Sequence, residues 1–132
     1  MKKTILLGLL TFGIIFQLTA QTRVKVYKLS TYGIKPNTGK NITPLLGKLL
    51  KEIKSKTTDQ EAVIIQFQKG KYNFHPEGAL KREYYISNHD QNNPKTVGIE
   101  IDHFKNITLD GNGADLMFHG RMLPLALIES SN

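Results

Sequence analysis

A chain of 132 residues has room for one domain, and its 18 basic residues against 11 acidic ones give a formal charge of +7. The surplus is mild and scattered. The absence of cysteine excludes disulfides and a lipid-attachment cysteine, leaving stability to apolar burial and hydrogen bonds.

The chain opens with Met1, Lys2 and Lys3, then an almost wholly apolar run from Ile5 to Phe16, then Leu18, Thr19 and Ala20 ahead of Gln21. A positive start, an apolar centre and small residues before a cut are the pattern of a secretory signal peptide. The run is short for a bilayer span, and no second one of that length follows. The expected division is therefore 1–20 as signal peptide and 21–132 as exported protein, destined for periplasm, cell surface or medium. Losing Lys2 and Lys3 leaves 16 basic residues facing 11 acidic ones, a charge of +5.

Arg23 to Leu29 alternates as a first strand, broken by Ser30 to Gly33 and a turn-forming Pro36 to Gly39. Thr43 and Pro44 signal a helix start, a hydroxyl to cap and a proline at the first helical position. Leu45, Leu46, Leu49, Leu50 and Ile53 then share one face, with Lys48, Lys51 and Lys54 mostly opposite. The spacing predicts an amphipathic helix from Pro44 to Lys56. Ala62 to Phe67 reads as a buried strand, Tyr72 to Phe74 as extended, His75 to Lys81 as loop and Glu83 to Ser87 as strand. A polar loop, Asn88 to Pro94, follows. Beyond it come only short strands: Val97 to Ile101, Ile107 to Leu109, Leu116 to Phe118 and Leu125 to Ile128.

Two glycine loops need weighing. Gly33 to Asn41 lies between strand and helix, where a phosphate loop belongs. Five residues separate Gly33 from Gly39, and Asn41 follows Lys40 where a hydroxyl is needed, so the spacing fails. Asp110-Gly111-Asn112-Gly113 fails as a dinucleotide fingerprint, because the third glycine position falls on Leu116 and a strand follows. A hairpin is the fairer rival, since Asp-Gly is a strong two-residue turn. Strands this short cannot bury a face as an isolated hairpin, so the corner of a stacked coil is preferred.

"VYKLSTYGIKPNTGKNITPLLGKLLKEI", "VIIQFQKGKYNF" and "KNITLDGNGADLMFHG" resemble the opening of secreted pectate-lyase-like proteins. Within that superfamily, His75 to Asn132 resembles the bacterial α-1,3-galactosidases of glycoside hydrolase family 110. Departures include Gln68-Lys69 before Gly70, and Asn41 where an aspartate is usual. The resemblance implies a mostly β fold, the N-terminal part of a right-handed parallel β-helix closed by the amphipathic helix. It implies an exo-acting enzyme that removes terminal α-1,3-linked galactose, as on blood group B glycans, with inversion. Inversion needs an acid and a base about 6.5–9.5 Å apart. In such hydrolases these carboxylates lie on later coils, so the chain is expected to be a truncated N-terminal piece carrying no catalytic residue. No cofactor, nucleic acid or membrane span is expected, and the partner is a glycan with terminal α-1,3-galactose.

The candidate carboxylates are judged on the residues themselves. Glu100 and Asp102 share one strand face and could do acid–base work, but such alternation reads first as a solvent face. Asp110 and Asp115 flank a turn, where aspartate bonds its own backbone. His75, His89, His103 and His119 lack ligand spacing, so no metal site is expected. His119-Gly120-Arg121 could reach a sugar hydroxyl, with a surface turn the plainer reading. "KREYYI" mixes base and aromatic as nucleic-acid binders do, but modest charge and export favour a strand edge. The sequons at Asn41 and Asn106 matter only in a eukaryotic secretory route. Two alternatives stay open beside the galactosidase: another β-helix polysaccharide hydrolase or lyase, and a non-catalytic glycan-binding or cell-surface module.

Overall fold

A computed structural model describes residues 22–85 and 93–131; the expected signal segment, Ile86, Ser87 and the loop residues Asn88 to Asn92 lie outside them. Among the described residues the fold is mostly strand with one α-helix. Its elements are β1 (Arg23–Lys28), a 3-10 turn (Leu29–Tyr32), α1 (Thr43–Lys56), β2 (Glu61–Gln66), β3 (Gly70–Phe74), β4 (Leu80–Arg82), β5 (Lys95–Asp102), β6 (Ile107–Asp110), β7 (Ala114–Phe118) and β8 (Leu123–Ile128).

The strands form three sheets, in the orders β1-β2-β6, β3-β7 and β4-β5-β8. β2, β3 and β5 make one round of the chain, and β6, β7 and β8 repeat it, each parallel to its counterpart. The Asp110 to Gly113 corner is therefore no hairpin: β6 and β7 pair with β2 and β3, not with each other. Asn112 and Gly113 both take positive φ there, Asp110 Oδ1 accepts the Asn112 N–H, and Asn112 Nδ2 donates to the Phe67 carbonyl one round earlier.

Register fixes what stacks on what. Partners in β2/β6 and β3/β7 lie 44 positions apart, as with Val63 and Ile107 or Tyr72 and Leu116. Partners in β5/β8 lie only 26 apart, as with Ile99 and Leu125. The difference is an 18-residue insertion between β3 and β5. Its strand β4 runs antiparallel to β5, the one antiparallel pairing among the described strands.

The core is the first round. Val63, Ile65, Phe67, Tyr72, Phe74, Ile99 and Ile101 are buried with Leu46, Leu49, Leu50 and Ile53 of α1. Inward residues of the second round, Ile107, Leu109, Leu116 and Phe118, are only partly buried against it. Leu127 is 67% exposed. Phe74 stacks on Phe118 at 4.5 Å, and the Gly98 backbone lies so close that an added Cβ would meet Phe118 at 2.6 Å.

Three expectations need correction, and β1 adds a facing that alternation left open. Thr43 does not cap α1 with its hydroxyl; it is the first helical residue, and Asn41 Oδ1 accepts its N–H at 3.0 Å. The Thr43 hydroxyl instead accepts the His75 N–H, beside Asn41 Oδ1. Leu45 points out, 44% exposed, because a helix stripe wide enough for it would overshoot the sheet face that Leu46 and Leu49 fill. The strand expected at Glu83 to Ser87 lies earlier, at Leu80–Arg82, where Leu80 can pair beside Val97; Glu83, Tyr84 and Tyr85 are not in a strand. In β1 the valines face outward, Val24 59% exposed, while Tyr27 aligns with Ile65 and packs on the core.

Candidate functional site

The insertion creates the most chemically dense part of the described molecule. At the end of β4 and just beyond, it places Arg82 and Tyr84 against the β5 face that carries Glu100 and Asp102. Arg82 Nη2 lies 2.9 Å from Glu100 Oε1 and 2.9 Å from Asp102 Oδ2. The Tyr84 hydroxyl donates to Glu100 Oε2, and Asn93 Oδ1 accepts the Tyr84 N–H. Glu100 is left with a side-chain exposure of 9%. The solvent-face reading of Glu100 and Asp102 is thereby corrected: the two do share a face, but the insertion covers it. Alternation alone could not reveal this, because the covering residues arrive from a loop.

Electrostatics follow the contacts. Burial pushes the Tyr84 hydroxyl well above its ordinary range, and its hydrogen bond to Glu100 adds to the shift. Burial raises the Asp102 carboxyl, but the His103 hydrogen bond and the Arg82 charge outweigh it and hold the group below its ordinary value. Burial works against the Arg82 cation, yet Glu100 and Asp102 raise it on balance. Every carboxylate oxygen here is matched to a donor in an ion-pair network.

A second feature clasps the two rounds. His103 Nδ1 contacts Asp102 and its Nε2 lies 2.9 Å from Glu129 Oε2, while the His103 N–H donates to the Ile128 carbonyl. The Asp102 hydrogen bond, then the Glu129 charge, raises the His103 imidazole above its ordinary 6.5. A raised folded-state pKa means the clasp is fully present below 6.5 and fades as pH rises through the folded value. Asp102 has the opposite sign, so its contribution holds above its ordinary 3.8 and fades as pH falls through the depressed value. NMR titration is expected to give a His103 midpoint above 6.5 that moves back toward it in Glu129→Gln. A midpoint at or below 6.5 in the parent chain would remove the clasp.

The other sequence candidates fall elsewhere. His75 and His119 stack at 4.2 Å with an 8° interplanar angle, and His119 Nε2 meets Asn73 Oδ1 at 2.8 Å. They form a ladder on successive rounds beside the Phe74–Phe118 stack. Asp110 accepts from Gln66 and Asn112 at its corner, as turn chemistry suggests. Asn41 and Asn106, the sequon residues, spend their side-chain amides on the carbonyls of Glu77 and Asp59. Asn41 at once donates to Glu77 and accepts from Thr43 and His75, which an ionised aspartate cannot do. Among the described residues no group of three or more His, Asp or Glu could hold a metal ion, and no helix is long and apolar enough to cross a membrane.

α1 and the insertion line an open cavity of about 770 Å³, with Pro44, Ala79 and Leu80 among its apolar residues and Lys48, Lys51, Lys54 and Lys81 among its basic ones. The Arg82–Glu100–Asp102 network forms one of its walls. Sequence reasoning found Lys48, Lys51 and Lys54 as the polar face of a helix and Lys81 as loop, but nothing in the pattern signalled a cavity.

Comparison with known proteins fixes the kinship of this architecture. An Alpha-1,3-galactosidase B of Phocaeicola vulgatus is 49% identical over 127 residues, covering 96% of this chain. The chain is a relative of the N-terminal portion of alpha-1,3-galactosidases. An Alpha-1,3-galactosidase B of Bacteroides fragilis is 47% identical over 98% of the chain, and an Alpha-1,3-galactosidase A of the same species 35% identical over 82%. The chain spans only about a fifth of these galactosidases: 22% of the first two and 18% of the third. No protein-family model matches the chain.

Proposed function

We propose that the chain is the N-terminal part of an exported, exo-acting α-1,3-galactosidase, and that its strands are the first coils of a right-handed parallel β-helix capped by α1. The observation that carries the activity is 49% identity to an alpha-1,3-galactosidase across 96% of the chain. The fold reading is supported by parallel pairing of every second-round strand with its first-round counterpart, and by the strong right-handed bias of parallel crossovers.

In this reading the chain supplies scaffold rather than chemistry. Glu100 and Asp102 are bound to Arg82, so the general acid and base come from carboxylates beyond these residues, separated to admit a water. The first 20 residues direct export and are removed before Gln21. Full-length protein incubated with blood group B trisaccharide is expected to release galactose, with the β-anomer appearing first in NMR spectra. The α-anomer first would overturn inversion. Trisaccharide binding without release would replace the enzyme with a glycan-binding module. Neither binding nor release would favour a different β-helix enzyme.

A further inference from the structure

We infer that the cavity between α1 and the insertion is a binding site for an acidic saccharide, one carrying a sulfate or carboxylate group. Three observations carry this. The first is charge. Lys48, Lys51, Lys54, Lys81 and Arg82 line the cavity against only Glu100 and Asp102, and both of these carboxylates are already bound to Arg82. Lys54 lies 3.7 Å from Asp59 and sits over the Phe104 ring, while Lys51 and Lys81 have no carboxylate partner among the described residues. The excess is positive, and it stands beside accessible apolar surface from Pro44, Ala79 and Leu80 that suits the face of a sugar ring.

The second observation is Gly47. It sits inside α1, where glycine weakens a helix relative to alanine. Packing does not require it: a Cβ built there meets nothing within 4 Å. Gly47 lines the cavity, so its missing side chain keeps the space open at a cost to the helix. The third is placement. No lining residue comes from β6, β7 or β8, so strands stacked on that side would leave the cavity uncovered. Its volume of about 770 Å³ falls within the range of about 300–1,000 Å³ typical of ligand pockets.

The saccharide half of this inference rests on the galactosidase reading; the anion half rests on the cavity alone. The test is calorimetric titration of full-length protein with 3′-sulfolactose, 3′-sialyllactose, lactose and inorganic sulfate, run beside the galactose-release assay. Either acidic sugar is expected to bind at least tenfold more tightly than lactose and than sulfate, and more weakly as salt rises. Gly47→Leu should abolish that binding without lowering the melting temperature or galactose release. Lys51→Glu with Lys81→Glu should weaken it at least tenfold. Lactose binding as well as both acidic sugars, or Gly47→Leu leaving affinity unchanged, would overturn the site. Sulfate matching the acidic sugars would overturn its saccharide character. Loss of galactose release with acidic-sugar binding intact would sink the enzyme reading and leave this site standing.

Discussion

Phe74→Ala is expected to lower the unfolding free energy by about 3–5 kcal/mol, read from urea denaturation at constant m-value. Phe74 is wholly buried in the first round, and its ring stacks on Phe118 of the second at 4.5 Å and 20°. Truncation removes the transfer energy of the ring and leaves a void whose lining belongs to both rounds. Phe118 also packs on the Gly98 backbone, where an added Cβ would meet its ring at 2.6 Å, so moving into the void would open a gap there. Phe74→Leu keeps most of the volume and should cost clearly less than the alanine variant. A loss under about 1 kcal/mol for alanine would show that the rounds are held together elsewhere.

Arg82→Met should cost about 1.5–3 kcal/mol. Breaking a fully buried ion pair costs about 3–5 kcal/mol, because one charge is stranded out of water. Here the carboxylate is nearly buried, at 9% exposure, but the guanidinium is 41% exposed, so solvent screening reduces the figure. Adding Glu100→Gln should recover part of the loss, because the stranded charge is then gone and Tyr84 keeps a hydrogen-bond partner. A double-mutant cycle measures this directly, with a coupling of about 1 kcal/mol or more expected. Coupling near zero would make the network a surface pairing with no hold on the insertion.

Legibility from sequence followed the range of the interactions. α1 was readable because Leu46, Leu49, Leu50 and Ile53 recur at helical spacing within one segment. The Asp110 to Gly113 corner was readable because positive φ at Asn112 and Gly113 calls for those residue types. The β4 strand was not. Its three residues carry no period of their own and become a strand only by pairing with Lys95 to Val97. The candidate site was hidden for the same reason. Glu100 looks solvent-facing from its neighbours in sequence, and its burial depends on Arg82 and Tyr84, held 16 or more residues away. The exposed valines of β1 make the complementary point. Alternation marks a strand, but which face meets the core depends on register with β2.

The strand edges on the α1 side are closed by three unlike devices. β1 lies beside β2 and carries Arg23, Lys25 and Lys28; residues 37–42 bond β3 through the carbonyls of Lys71 and Asn73; β4 is only three residues long and runs backwards. On the far side β6, β7 and β8 present regular backbone with Leu125 and Leu127 uncovered beside it. Short, basic or reversed edges repel a new strand, whereas a regular apolar one templates it. The two ends are therefore unlike: the far one is a regular backbone template flanked by Leu125 and Leu127, whereas the α1 end, where Val24 and Val26 of β1 also stand exposed, offers three edges of different length and direction.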